Sequence, residues 1–341
     1  MNEAFLVHLQ QKLDCQIQGV KPRRNVLFLK TNRGNWVVKA YKDQEKAQWV
    51  TQLAHMLREN GFVHTVSYLH TADNEAVLPY GDHFYTVMKA IDGRESSYAY
   101  PYDIRKAAYT LARFHRAARH WEPALPQYPY KPPLIAKWEN RMDEFVQIAE
   151  RIAAKGPANR FEAMIHSIAP KVIQDGRQVL AQTSRMPLIA EMHRAIVEGT
   201  VAHRDVASHN FLLTPTGECY LIDLDTAHFD MQLADLVQFI GRLLLLQGYQ
   251  PQIFSDVINI YSKLNPLDDS QIRMIFQLLR YPDNILREVT GVYYRRPGYR
   301  VRGAMQLLQL EGKYWRQRKR FLGAEHLVMG SWSSWTMDST G

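Results

Sequence analysis

One short stretch restricts the fold more than any other. His203-Arg204-Asp205-Val206-Ala207-Ser208-His209-Asn210 sets a carboxylate and an amide five residues apart, and Asp223 follows Asn210 by thirteen residues. Between them lie two β-type runs, Phe211–Leu213 and Cys219–Leu224, split by the turn formers Pro215-Thr216-Gly217. Runs of that kind around a Pro and a Gly read as a hairpin. A fold built on this stretch must bring a loop and the far end of the adjoining hairpin to one place. In phosphoryl transfer one carboxylate orients the attacking hydroxyl, while an amide oxygen and a second carboxylate hold Mg²⁺ against the nucleotide phosphates. A small set of hard oxygen ligands suits Mg²⁺, which keeps several waters and takes phosphate oxygens besides. Three residue types at fixed spacing arise by chance in such a chain with a frequency on the order of one in a hundred, and the strand-end placement of Asp223 lowers it.

The upstream half supplies a matching lysine. Asn25–Thr31 and Asn35–Tyr41 are two further β-type runs, separated by Asn32-Arg33-Gly34. Lys39 lies on the later strand of this hairpin, within Trp36-Val37-Val38-Lys39-Ala40-Tyr41, where the nucleotide-contacting lysine of kinases lies. A helix is predicted from Asp43 to Asn60, with Ala47, Val50, Leu53 and Leu57 on one face and Gly61 as its stop. Strands are predicted at Glu75–Leu78 and His83–Met88, before the turn signal Ile91-Asp92-Gly93. Residues 1–91 are thus expected to form a small lobe of sheet plus one main helix. Residues 92–325 are expected to form a larger, mainly helical lobe carrying the catalytic loop and a substrate pocket, with helices around Ile104–His115, Trp138–Gln182 and Ala234–Leu322. Pro123–Pro133 is too rich in proline for continuous helix, and 326–341 reads as a flexible tail.

Composition narrows the class. Charged residues at 22% and hydrophobic residues at 46% exclude wholesale disorder. No apolar run reaches the ~18 residues of a membrane span, the first residues lack a signal-peptide pattern, and only Cys15 and Cys219 occur. A cytoplasmic protein without a membrane partner is the expectation. The net charge of +8 is local: between Arg295 and Arg320 nine cations face Glu311 alone. Ala304, Leu307, Leu308, Glu311, Tyr314 and Trp315 fall at helical spacing and leave Arg316, Lys319 and Arg320 on other faces. That strip, Arg318 included, is expected to be a solvated face rather than a nucleic-acid surface.

The chain resembles the aminoglycoside phosphotransferase and choline kinase branch of the protein-kinase-like fold. The resemblance is carried by Lys39, Leu111-Ala112-Arg113-Phe114-His115, His203 to Asn210, and Ile222-Asp223. Ile91-Asp92-Gly93-Arg94-Glu95, and Asp225 after Asp223, are similar to the CotS-type spore-coat family within it. The resemblance implies an α+β, two-lobe architecture and ATP with Mg²⁺ as cofactors. It implies Asp205 as catalytic base, Asn210 and Asp223 as Mg²⁺ ligands, Lys39 as the contact to the α- and β-phosphates, and His203 and Asp235 as braces of the loop. The implied function is phosphoryl transfer to a small hydroxylated acceptor such as a sugar or amino-sugar. Spore-coat proteins are then the implied macromolecular partners. The alternative is a catalytically weak or inactive kinase fold that serves as a structural component of the coat.

Three departures from the family pattern stand out. Lys21-Pro22-Arg23-Arg24-Asn25 occupies the place of a glycine-rich phosphate loop. The predicted helix after Lys39 lacks a central Glu to pair with it, and Glu45 in its first turn is the nearest candidate. Arg204 stands where the small-molecule branch usually has Gly.

Overall fold

The computed structural model describes residues 3–23, 26–121 and 131–325. Arg24 and Asn25, most of Pro123–Pro133 and the tail read at 326–341 lie outside the described residues. In chain order the first elements are α1 (Glu3–Leu13), β1 (Ile17–Arg23), β2 (Val26–Thr31), β3 (Gly34–Tyr41), α2 (Gln44–Glu59), β4 (Val77–Tyr80), β5 (His83–Lys89) and β6 (Arg94–Glu95). There follow α3 (Pro101–Ala117), α4 (Pro133–Lys155), α5 (Arg160–Thr183), α6 (Leu188–Val197), β7 (Val201–Ala202), β8 (Phe211–Leu213), β9 (Cys219–Leu221) and β10 (His228–Phe229). The chain continues through α7 (Leu233–Leu246), α8 (Pro251–Ser262), α9 (Asp269–Leu278), α10 (Asp283–Tyr293), α11 (Val301–Lys313) and α12 (Trp315–Gly323). Two units separate by their internal contacts. One holds residues up to Ser97 with Lys106–Ala118 and Asp205–Ala227; the other holds Tyr98–Arg105, Arg119–Arg204 and His228 onward.

The first unit is built on a five-stranded antiparallel sheet in the order β1-β2-β3-β5-β4. Its β2–β3 hairpin turns through Gly34, whose φ of +120° is open to glycine and strained for other residues. Side chains alternate across a strand. Trp36 and Val38 therefore share one face of β3, where they pack with Leu29, Leu78, Val87 and with Phe5, Leu9 and Leu13 of α1. Lys39 and Tyr41 fall on the opposite face. The register sets Lys39 between Val26 of β2 and Thr86 of β5. Helix α2 starts where the Asp43 carboxylate accepts the N–H groups of Glu45 and Lys46, and it buries Ala47, Val50, Leu53 and Leu57 as its spacing predicts.

Three elements here depart from the sequence reading. Ile17–Arg23 has no counterpart in it and is an edge strand paired along its length with β2. Of Lys21–Asn25, read as the place of a phosphate loop, Lys21, Pro22 and Arg23 end this strand, while Arg24 and Asn25 lie outside the described residues. An edge position tolerates Pro22, because one side of the strand needs no ladder donor. Helix α1 has no counterpart in the reading, although Phe5, Leu9 and Leu13 recur at helical spacing and are buried. Strand β4 also lies two residues beyond its predicted place.

The loop and hairpin of the 205–227 segment fold within this same unit. Strands β6, β8 and β9 form a small sheet in which Phe211 pairs with Leu221 and Leu213 with Cys219. Gly93 permits its close approach, since a Cβ there would lie 2.9 Å from the Leu213 carbonyl oxygen. The residues after α2 fasten the hairpin: the Leu221 N–H donates to the His64 carbonyl at 3.0 Å, and the Thr65 hydroxyl donates to the Leu221 carbonyl at 2.9 Å.

The second unit is mainly helical. Helix α4 ends at Gly156, and Asn159 caps α5 through the Glu162 N–H. Trp138 of α4 stacks on Tyr281 with ring centres 4.1 Å apart, and the Tyr281 hydroxyl donates to the Trp138 carbonyl. Helix α7 is apolar nearly all round and buried along most of its length, as a helix at the centre of a core must be. The short β7–β10 pair brings Val201 against Phe229 and Ala202 against His228. Among the described residues no helix is long and apolar enough to cross a membrane, and both cysteines are buried free thiols.

Candidate active site

The loop begins in the helical unit, on a brace. The N–H groups of His203 and Arg204 donate to the two oxygens of Asp235, at 2.6 and 2.8 Å. Asp235 is fully buried in the first turn of α7 and His203 is equally buried. A buried carboxylate accepting two backbone N–H groups fixes the loop entrance while satisfying its own charge. Arg204 adopts a left-handed φ of +66°, and its guanidinium lies 3.5 Å from Asp230. Burial pushes the Asp230 carboxyl up to about 7, against the downward pull of Arg204.

Within the sheet-bearing unit, Ser208–Asn210 forms a single 3₁₀ turn. The Asn210 amide nitrogen donates to Asp205 twice, to its carbonyl at 2.9 Å and to its carboxylate at 3.3 Å. That contact turns the amide's hard oxygen acceptor away from Asp205. The Asn210 carbonyl in turn accepts the Ile222 N–H at 2.9 Å, which ties the loop to the residue before Asp223. Asp223 is left-handed, with φ +62°, and opens a second 3₁₀ turn, Leu224–Thr226.

Lys39 reaches this turn from β3. Its ammonium lies 2.7 Å from an Asp223 oxygen and 2.8 Å from an Asp225 oxygen. Burial pulls the Lys39 pKa down, and the two aspartates outweigh that pull and leave it above the ordinary lysine value. The Tyr41 hydroxyl donates to Asp225 at 2.9 Å. From α2, the Trp49 indole N–H donates to the Ala227 carbonyl at 2.7 Å.

The structure thus gathers Lys39, Asp205, Asn210 and Asp223 in one unit and places His203 and Asp235 together in the other. It corrects the expectation for Glu45. That residue is exposed in the first turn of α2, and Lys39 pairs with the two aspartates instead. The residues missed are Tyr41 and Asp225 beside the lysine and Trp49 at the end of the turn. Only Tyr41 carried a local signal, its two-residue spacing from Lys39 on a strand. A second correction concerns Arg318, expected in the solvated strip. It is buried and donates to the Arg280 carbonyl at 2.9 Å, whereas Arg316, Lys319 and Arg320 are exposed. Arg318 and Lys319 line a cavity of about 1030 Å³ along α5 and α12, together with Lys171, Arg185 and Trp315.

The architecture is shared with solved structures. An aminoglycoside phosphotransferase from Alicyclobacillus acidocaldarius superposes with a TM-score of 0.78 at 20% identity, over 92% of this chain and 93% of that one. A spectinomycin phosphotransferase in complex with ADP and spectinomycin gives 0.61 at 12% identity, over 92% and 94%. A choline kinase from Cryptosporidium parvum gives 0.54 at 11% identity, over 97% and 94%. At these identities the likeness establishes the fold: α+β, kinase-like, with a sheet in the N-terminal region and a mainly helical C-terminal region. Kinship comes from sequence, where the model of the phosphotransferase enzyme family (APH) matches residues 17–251. That match covers more than half of the chain, Lys39 and the 203–225 stretch included, and the chain belongs to the phosphotransferase enzyme family.

Proposed function

We propose that the protein transfers the γ-phosphoryl group of ATP to the hydroxyl of a small acceptor of the sugar or amino-sugar kind, with Mg²⁺ as cofactor. The observation that carries this reading is the tie from Asp205 through Asn210 to the Ile222-Asp223 turn, where Lys39 also ends. The donor set fits Mg²⁺, because the Asn210 amide oxygen and the Asp223 carboxylate are hard ligands in the small number this ion takes from protein. Among the described residues no cluster of three or more His, Cys, Asp or Glu is poised to hold a metal. When bound, the ion neutralises charge on the phosphate oxygens.

The chain's own groups do the rest. Asp205 accepts the acceptor's hydroxyl proton as the new oxygen–phosphorus bond forms and the bond to the departing ADP breaks. Asn210 holds Asp205 in place through its amide nitrogen. Lys39 sets its ammonium against the α- and β-phosphates, and Asp235 fixes the loop entrance. Solved relatives in complex with ADP and AMP support the nucleotide half of this reading.

Asp205→Asn is expected to leave Mg-ATP affinity near wild type in titration calorimetry and to cut turnover by ~10²–10⁴, the scale of lost general-base help. Asp223→Ala is expected to weaken Mg-dependent binding. Nucleotide binding indifferent both to Mg²⁺ and to Asp223→Ala sinks the assignment. A second reading, a catalytically weak protein of the spore coat, draws on Ile91–Glu95 and on an α2 that offers Lys39 no carboxylate. It gains if a panel of hydroxylated acceptors shows no turnover while nucleotide still binds.

A further inference from the structure

We propose that Asp225, clamped by the Tyr41 hydroxyl, is the positioning residue that orients Lys39 in this chain. The lysine's meeting with phosphates rests on the function proposed above; the pairing itself does not.

Lys39 has two carboxylates within ion-pair distance, and they are not equivalent. Asp223 sits on the left-handed residue that opens the turn, its side chain is 42% exposed, and it is the residue assigned to the cation. A carboxylate engaged with a divalent ion has less negative charge to offer an ammonium. Asp225 is more deeply set, 24% exposed, and one oxygen receives both the Lys39 ammonium at 2.8 Å and the Tyr41 hydroxyl at 2.9 Å. Tyr41 and Lys39 are two residues apart on one face of β3, so a single strand supplies both groups that grip the carboxylate. Burial, with Tyr68 and Asp225 nearby, raises the Tyr41 hydroxyl far above its ordinary value, so it stays a donor. The ammonium also lies 5.9 Å from the centre of the Tyr41 ring, within cation–π reach.

Helix α2 contributes in another way. Its Trp49 indole holds the end of the turn through the Ala227 carbonyl. The helix thereby steadies the turn that carries Asp225, and its own first-turn Glu45 faces solvent. An indole on the helix and a carboxylate on the turn together do what a helix glutamate does alone. This accounts for an intact Lys39, Asn210 and Asp223 in a chain whose α2 has no central acid.

The test has an arm that needs no nucleotide. In the free protein, the acylation rate of Lys39 by an amine-reactive ester at fixed pH is followed by peptide mass spectrometry. Asp225→Asn is expected to raise that rate about threefold or more, Tyr41→Phe by less, and Glu45→Gln not at all. In the loaded protein, the slow hydrolysis of Mg-ATP is read as kcat and KM separately. Asp225→Asn is expected to lower kcat roughly tenfold with little change in KM, since a misaimed lysine costs rate more than binding. Asp225→Glu should restore part of it. Lys39 acylated at the wild-type rate in Asp225→Asn, or as readily freed by Glu45→Gln, overturns the proposal. So does a variant whose melting point and kcat fall while KM rises, with no rescue, which is the mark of a merely structural residue. If wild-type protein binds no nucleotide, the phosphotransferase reading fails and takes the lysine's phosphate role with it, while the acylation contrast still decides the pairing.

Discussion

Each unit of the molecule holds a cation at least partly out of water, Lys39 half-buried on β3 and Arg318 buried on α12, and the two are held in different ways. The Lys39 side chain is 17% exposed and its partners are carboxylates that themselves reach solvent, Asp223 at 42% and Asp225 at 24%. The Arg318 side chain is 8% exposed. It donates to the Arg280 carbonyl, lies 3.8 Å from Asp175 and packs over the Trp315 ring at 5.9 Å. It also draws down the buried Glu311 carboxyl, which burial raises and which the Tyr249 hydroxyl contacts at 3.2 Å. Carboxylates at the edge of water can exchange a lysine for a ligand at small cost. Arg318 is instead fixed by a backbone carbonyl and an aromatic ring, which offer nothing to exchange, with Asp175 only at the outer limit of ion-pair distance. The first arrangement suits a site; the second suits a core.

The comparison breaks most visibly under matched substitutions. Lys39→Met is expected to cut turnover by roughly 10²–10³ through lost stabilisation of phosphate charge, with a small change in melting temperature. Arg318→Met is expected to do the reverse. It strands Glu311 in the core and should cost about 2–4 kcal/mol of unfolding free energy, read by denaturant titration, while the folded fraction turns over at the wild-type rate. Equal effects of both variants on both readouts would erase the distinction.

What the sequence disclosed follows the range of the forces involved. The β2–β3 hairpin, α2 and the 203–225 stretch were legible because periodicity, caps and turn formers act over a few residues. The partner of Lys39 was not. Its contact with Asp223 joins residues 184 positions apart, and no local pattern selects Asp223 and Asp225 over Glu45. Strand β1 was hidden by its edge position and Pro22, which weaken an alternating pattern. Arg318 was misjudged for a different reason. The spacing from Ala304 to Trp315 reads as one continuous helix, but the chain breaks at Tyr314 between α11 and α12. Yet Arg318, seven residues after Glu311 and four after Tyr314, stays on the buried side, and with Phe321 and Leu322 it is buried on α12.

A smaller effect sharpens the contrast through acids. Asp230 belongs to the helical unit, and its side chain is 2% exposed with Arg204 3.5 Å away. Its carboxyl, raised to about 7 by burial, binds a proton in the folded protein that the unfolded chain has released near the ordinary aspartate value of 3.8. Stability from this group is therefore full below pH ~4 and is lost as pH rises toward 7, on the order of 1 kcal/mol per pH unit. Asp230→Asn has no such proton to lose. The stability difference between variant and wild type, measured by urea titration from pH 5 to 8, should move steadily in the variant's favour up to about pH 7 and then level off. Parallel curves would mean that Arg204 compensates the buried carboxylate in full.

The smallest effect is expected beside Arg318 itself. Lys319 and Arg320 follow it on α12, and both are exposed. Exposed charges interact through water, where screening leaves little net energy. The double variant Lys319→Gln, Arg320→Gln should therefore change unfolding free energy by no more than about 0.5 kcal/mol and leave turnover unaltered. The same pair tests whether the basic segment from Arg295 to Arg320 has a polyanion partner. Lys319 lines the cavity along α5 and α12, together with Lys171 and Arg185. A surface that only solvates the helix should retain heparin no more strongly in wild type than in the variant at 150 mM salt. Strong, salt-sensitive retention of wild type and its loss in the variant would show that exposure, and not burial, is what makes the charge of α12 useful.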